Sequence, residues 1–301
     1  MKTDFWLDQI PLWGVFLLTV AVVLFSIGLG TLLGRLRRRQ PDHEAEAPLG
    51  TIIGASLGLL AFMLAFTFGI AAELFQNRRQ LLLNEVNTIG TTYLRAGLLM
   101  EPHQSQVREL LRQYVDIRVG LAKEILLPLP QRMKKLHEAL VRSEALHDQM
   151  WSHAEALAKA DRSSEIDAMF ISSLNELIEL HKSRVTVFKY RIPPVIWYVL
   201  YFITILSMVT VGYHVGLSGK SSLKMGVVLT LIFSAVMLLI VDLDRATEGH
   251  FQVSQQPMLE LQKKMQMSAQ EAEPKTKLSV PVDKPDTNSE SPSTTKTADG
   301  N

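Results

Sequence analysis

Residues 48–99 read PLGTIIGASLGLLAFMLAFTFGIAAELFQNRRQLLLNEVNTIGTTYLRAGLL, and this stretch decides the fold. No charge occurs between Glu46 and Glu73, a run longer than the roughly 20 apolar residues that cross a ~30 Å hydrocarbon core. Small residues recur inside it at Gly50, Gly54, Gly58, Ala61, Ala65 and Gly69. At about 100° per residue they share one arc of roughly 100°. Lipid tails need no such stripe, whereas a neighbouring helix does, because a missing side chain permits close approach. The spacing therefore predicts a helix-packing face. No proline lies between Pro48 and Pro102, so nothing obliges the helix to end where the lipid ends. Glu73, Gln76, Gln80, Asn84, Asn87 and Thr91 then continue on an overlapping arc. Unbroken, about 50 residues make a rod of ~75 Å. The alternative is a span, a kink (Gly90 is the natural break) and a separate soluble helix. Residues 49–99 are thus span 2 with its extramembrane continuation, lining something polar beyond the bilayer.

The flanking sequence supplies three further spans. Residues 1–34 form a lead-in and span 1, charge-free from Ile10 to Gly34 and closed by Arg35, Arg37, Arg38 and Arg39. A secretory signal carries its positive charge before the apolar region, so this block reads as a retained helix, with Trp6 and Trp13 as interfacial anchors. Residues 35–48 are a charged linker. Span 3 occupies 192–219, opening on Pro193 and Pro194, with Trp197, Tyr198 and Tyr201 read as an aromatic belt. Span 4, 225–241, is near the ~17-residue minimum for crossing. The fold class is all-α, with four transmembrane helices in two pairs and a helical extramembrane bundle, residues 100–191, between spans 2 and 3.

Within that bundle the periodicity predicts helices over Gln104–Leu126 and Gln131–Ala160, and a third from Ser163-Ser164, a fitting N-cap. On the third, Ile166, Phe170, Leu174, Leu177, His181, Val185 and Phe188 step by three and four toward span 3. Residues 242–270 form a post-span segment and a short amphipathic helix opened by Pro257, whose methionines read as a packing face. Residues 271–301 have scarcely a bulky apolar side chain and form a disordered tail, because ordering entropy is not offset.

A net charge of +1 gives no reason to expect nucleic acid as a partner. The absence of cysteine excludes disulfides, thiolate metal sites and cysteine nucleophiles. The lipid bilayer is the first partner, in an inner membrane crossed several times. Arg35, Arg37, Arg38, Arg39, Lys220 and Lys224 lie in the two short loops, which the positive-inside rule places in the cytoplasm, leaving both termini and the bundle outside.

The polar candidates are few. Glu73 sits where span 2 leaves the hydrocarbon, and an ionisable group there either acts on a solute or snorkels. Glu85, Asn87, Tyr93 and Arg95 form a polar set beyond it. Glu85 and Arg95 are too far apart on one helix to pair, so each needs a partner on another subunit or on the helix entering span 3. Asp242, Asp244 and Arg245 end span 4, where an ion network with Arg78 or Arg79 accounts for them better than a calcium site, which wants six to eight oxygens. Ser254 and Gln255 follow in a segment that seals the bundle. The histidines lack HExxH or other ligand spacing and read as solvated or capping residues. No phosphate-binding glycine loop or hydrolytic carboxylate pair occurs, so no enzyme, cofactor or metal is expected.

Two segments carry a resemblance: NEVNTIGTTYLRAGLL after span 2, and VDLDRATEGHFQVSQQPMLEL after span 4. Together with the two-pair span pattern, they resemble the bestrophin-like family of bacterial membrane proteins over about residues 10 to 265. The bestrophins after which that family is named are pentameric anion channels with four spans per subunit, whose second helix lines a hydrophobic neck and continues past the membrane. The resemblance implies a homo-oligomer passing small anions, with Phe62, Phe66 and Glu73 as pore or constriction residues. No counterpart of those channels' dense acidic calcium clasp is visible, only the two carboxylates Asp242 and Asp244. The other reading, from a different class, is a non-conducting membrane scaffold or sensor whose helical domain binds a protein partner.

Overall fold

The computed structural model describes residues 10–39, 49–123, 129–218, 223–245 and 253–272. Among these the chain is entirely helical: α1 (Leu12–Arg38), α2 (Leu49–Ala96), α3 (His103–Lys123), α4 (Leu129–Ala160), α5 (Glu165–Phe188), α6 (Pro194–Ser218), α7 (Leu223–Asp244) and α8 (Gln256–Ala272). Four of them, α1, α2, α6 and α7, are long and apolar enough to cross a membrane. The lead-in with Trp6, most of the charged linker, Lys220, the segment after Arg245 and the tail from residue 273 lie outside the described residues.

Local chemistry explains the helix ends. Pro11 occupies the N-cap of α1 with extended backbone, and Arg35, Arg37 and Arg38 fill its last turn, where the helix dipole favours cations. Ser164 caps α5 by accepting a hydrogen bond from the Asp167 N–H at 3.2 Å, and Glu165 and Asp167 occupy the first turn. The run from α5 into span 3 is interrupted at Lys189–Pro193. Pro193 disfavours helical geometry at Ile192, and Pro194 then opens α6. Helix α7 runs a turn beyond Val241, so Asp242 and Asp244 are helical.

α2 is unbroken, 48 residues or about 72 Å, and Gly90 causes no interruption. It is the one helix among the described residues that enters both hydrophobic cores. Near the membrane, Leu60 and Ala71 join Val15, Val23, Leu200, Met208 and Met237. Further along, Leu82, Ile89 and Tyr93 join Leu111, Phe170, Leu174, Leu177 and Met258. α8 closes that second core by burying Met258 and Met265 while leaving Met267 exposed, a division that follows its amphipathic pattern.

Close helix approach occurs between α1 and α6. A Cβ on Gly30 would overlap the Val209 carbonyl oxygen, and one on Gly34 would overlap that of Tyr213. From the other side, Gly212 and Gly216 lie against the Ile27 and Thr31 carbonyls. Each helix therefore contributes a small-xxx-small pair, which brings two backbones together in a way larger side chains forbid. Thr19 and Tyr201 hydrogen-bond across the same interface at 2.8 Å, and Trp197 is buried in the core. The aromatic cluster is thus mostly internal, with only Tyr198 left strongly exposed.

This packing makes a test. Gly212→Leu should cost at least the ~1–3 kcal/mol typical of overpacking, seen as a lowered unfolding temperature in detergent. Gly28→Leu, on the same pair of helices but with nothing within 4 Å of its would-be Cβ, should leave that temperature nearly unchanged.

Candidate functional site

The membrane half of α2 is nearly uncovered by its own chain. Only 6% of its most apolar 18 residues are buried, against 28%, 33% and 44% for α1, α6 and α7. Gly50, Gly54, Gly58, Ala61, Ala65 and Gly69 are all exposed, and a Cβ on any of the four glycines would meet nothing within 4 Å. Among the described residues the small-residue face therefore packs against no other helix of the chain. Phe62 and Phe66 lie beside it, 64% and 54% exposed, with their rings stacked 6.5 Å apart. The open face continues past exposed Glu73 through Gln76, Gln80, Asn87 and Thr91 to Leu94 and Leu98. Gln80 donates to Asn84 at 2.9 Å along it.

The opposite side of α2 is gripped at two points. The upper one is centred on Glu85, which is fully buried. Tyr114 of α3 donates its hydroxyl to Glu85 Oε1 at 2.5 Å. Arg118 of α3 donates to Oε2 at 3.3 Å, and Arg184 of α5 pairs with the same oxygen. Glu85 thus finds its partners on the bundle helices, including the one that leads toward span 3. Burial dominates here: it pushes the Tyr114 hydroxyl up to about 12 and pulls the Arg184 guanidinium down to about 10.

Two histidines belong to the same cluster. His181 Nδ1 lies 3.0 Å from the Tyr114 hydroxyl, and the His147 ring packs against both Tyr114 and His181 at centroid distances of 4.9 and 4.8 Å. Burial, and then the Arg118 charge, draw His147 down to about 4 and His181 to about 3, so both are neutral at physiological pH. For His147 and His181 this corrects the expectation of solvated or capping residues, whereas His137 and His214 are exposed. His103 and His153 also pair, with their Nδ1 atoms 3.0 Å apart on a partly exposed surface.

The lower grip is at the end of α7. Arg78, on α2, donates to the carbonyls of Leu243 at 3.2 Å, Asp244 at 3.0 Å and Tyr190 at 2.8 Å. Asp244 accepts from the Ile192 N–H at 2.9 Å and pairs with Arg191 at 3.9 Å. Arg245 donates to the Ile10 carbonyl at 2.7 Å. Asp242 and Arg245 are buried in the same region. Arg78 serves here by binding helix-terminal carbonyls, while Arg79 is exposed.

The remaining polar residues of the first segment divide. Tyr93 is buried beneath the Arg108 guanidinium, 4.6 Å from its ring centroid, and accepts from Arg112 at 3.3 Å. Arg95 donates to the Met169 carbonyl at 2.8 Å, and Asn87 is exposed. Ser254 accepts from the Gln256 N–H at 3.3 Å and Gln255 donates to the Val253 carbonyl at 3.2 Å, fixing the start of α8. Among the described residues no three acidic or imidazole side chains converge as a metal site would need.

The family profile of the bestrophin-like domain matches residues 20–258. The chain belongs to the bestrophin-like family. Solved structures agree on the fold. One mutant of a bacterial bestrophin homologue from Klebsiella pneumoniae superposes with a TM-score of 0.58 at 14% identity, covering 86% of this chain and 98% of that one. A second mutant gives 0.53 at 15% identity, covering 85% and 97%. A structure described as a membrane protein gives 0.53 at 14% identity, covering 81% and 97%. No curated protein matches the chain.

In this bestrophin-like chain, sequence reasoning missed the Gly30/Gly34 and Gly212/Gly216 pairs, though both carry the GxxxG spacing that marks close packing. It missed Tyr114, Arg118 and His147 because their roles depend on which helices meet, which spacing along one helix does not encode. Removing the shared carboxylate tests the upper grip. Glu85→Ala leaves Arg118 and Arg184 buried without their counter-charge and should cost about 3–5 kcal/mol, measured by denaturant unfolding in detergent. Glu85→Gln should recover part of that loss.

Proposed function

We propose that this protein is one subunit of a homo-oligomeric channel for small anions in the inner membrane, with α2 lining the pathway. The observation that carries the reading is the single uncovered face of α2, continuous from Gly50 to Leu98. A helix at the centre of a ring must leave one face free of its own chain, and small residues let several copies come close around an axis. Bacterial bestrophin homologues share the fold, and membership of the family supports the channel class.

The chemistry along the face suits the role. Phe62 and Phe66 form an apolar constriction within the membrane, able to gate by dewetting. Beyond it Gln76, Gln80, Asn84 and Asn87 offer amide N–H donors to an anion that has shed part of its hydration. Glu73 stands between the two zones and would tune selectivity at the rim. The charged short loops support placing the bundle outside the cytoplasm. A non-conducting scaffold or sensor is the second reading. It draws on the exposed Leu94 at the far end of α2 and Leu98 and Met100 in the turn that follows, an apolar patch of the kind that docks another protein.

Mass measurement in detergent and ion flux in liposomes separate the two. A symmetric oligomer with anion flux is expected, and Phe62→Ala with Phe66→Ala should raise that flux several-fold. A monomer, or an oligomer that passes no ions with or without the substitutions, contradicts the channel.

A further inference from the structure

The hydrogen-bond order at Glu85 fixes where protons are and where another could go. Tyr114 gives its only proton to Glu85, so His181 must donate through Nδ1–H to the Tyr114 oxygen. The neutral imidazole then holds its free lone pair on Nε2. That atom is buried and has no partner among the described residues, and the same is true of Nε2 of His147. A proton arriving at either nitrogen would find no acceptor. It would also join an excess of positive charge. Facing the pair are Glu85 from α2, Arg118 and Tyr114 from α3, Asp148 from α4, and Lys182 and Arg184 from α5. Two carboxylates already stand against three cations, one of the carboxylates being shared by two arginines.

We propose that this cluster is an acid-sensitive latch, which holds the extramembrane half of α2 to α5 at neutral pH and releases it when His147 and His181 are protonated. Opening lets water solvate both imidazolium rings, which the closed cluster cannot do. The latch concerns α2 residues 82–93, where Leu82, Glu85, Ile89 and Thr92 face the bundle. Thr92 also donates to the Ser173 carbonyl of α5 at 3.2 Å, and Thr88 to Glu176 at 3.3 Å. The membrane half of α2 contains no histidine, and His214, between the two glycines of α6, is exposed rather than buried, so release is confined to the bundle.

The sign follows from proton binding. Opened, both histidines titrate near the ordinary 6.5; closed, burial holds them at about 4 and about 3. The open form therefore binds more protons below pH 6.5, and the closed form is fully favoured above it. As pH falls, closure is lost progressively, down to about 4 for His147 and about 3 for His181. Each histidine shifts the open-to-closed ratio by up to tenfold per pH unit in that window, so the two together approach a hundredfold.

Hydrogen exchange on the full chain in lipid nanodiscs tests this without any need for ion flux. After correction for intrinsic exchange, peptides covering 82–93 and 170–184 should lose protection between pH 7.5 and 4.5, while those covering 23–36 and 205–217 should keep it. His147→Phe preserves the ring packing and removes one titrating group, so it should reduce the loss about tenfold per pH unit within the window. His181→Gln should do the same. Unchanged protection of 82–93 in the wild-type protein overturns the latch, as does an equal loss at 23–36 and 205–217, which would mean that the whole protein unfolds. If one substituted protein fails to fold, the wild-type measurement and the other substitution still decide.

Discussion

A straight helix of 48 residues presents more surface than its own chain covers, and that constraint governs the rest of this structure. α2 belongs to both hydrophobic cores, one built with α1, α6 and α7 and the other with α3, α4, α5 and α8. Each core occupies one side of the rod. The other side is left to whatever lies outside the protomer, and on that side stand the glycines, Phe62, Phe66 and the amide residues. Packing on the covered side is therefore what defines the open face.

The two grips on α2 use different chemistry. At Glu85 a buried carboxylate collects two guanidiniums and a phenol. Such a group is costly to bury and costly to unpair, and it fixes register between helices more than it adds stability. At Arg78 one guanidinium ties the carbonyls at the end of α7 to the start of the α5–α6 connection. The first grip is inside the bundle and the second is at the junction with the spans. Between them the rod cannot rotate about its axis without breaking buried polar contacts, and this sets which residues point outward.

Much of this was legible in the sequence because lipid solvation imposes a simple code. Four charge-free runs gave four spanning helices, the lack of proline between Pro48 and Pro102 gave an unbroken α2, and Ser164 marked a helix start. The stripe of small residues on α2 was visible too, but spacing alone could not say whether its partner was inside the chain. Within the protomer the close contact went to Gly30, Gly34, Gly212 and Gly216, leaving the α2 stripe open. The Glu85 cluster was least legible. Glu85 was recognisable as a buried-partner candidate and His181 lay within the apolar stripe of α5. Even so, Tyr114, Arg118 and His147 become neighbours only when four helices pack together. Periodicity reports which face is buried and is silent about what it is buried against.

What the open face of α2 meets in the membrane, water or lipid, decides whether it lines a pathway. The chain has no cysteine, so a single cysteine placed at Gly54, Ala65 or Gly69 reports on its own surroundings. In liposomes these thiols should react with a small water-soluble methanethiosulfonate reagent, while a cysteine at Phe202, on an exposed face of α6, should react only with a hydrocarbon-soluble maleimide. Labelling of all four positions by the hydrocarbon-soluble reagent alone would mean that the open face looks into lipid, and would contradict the pathway.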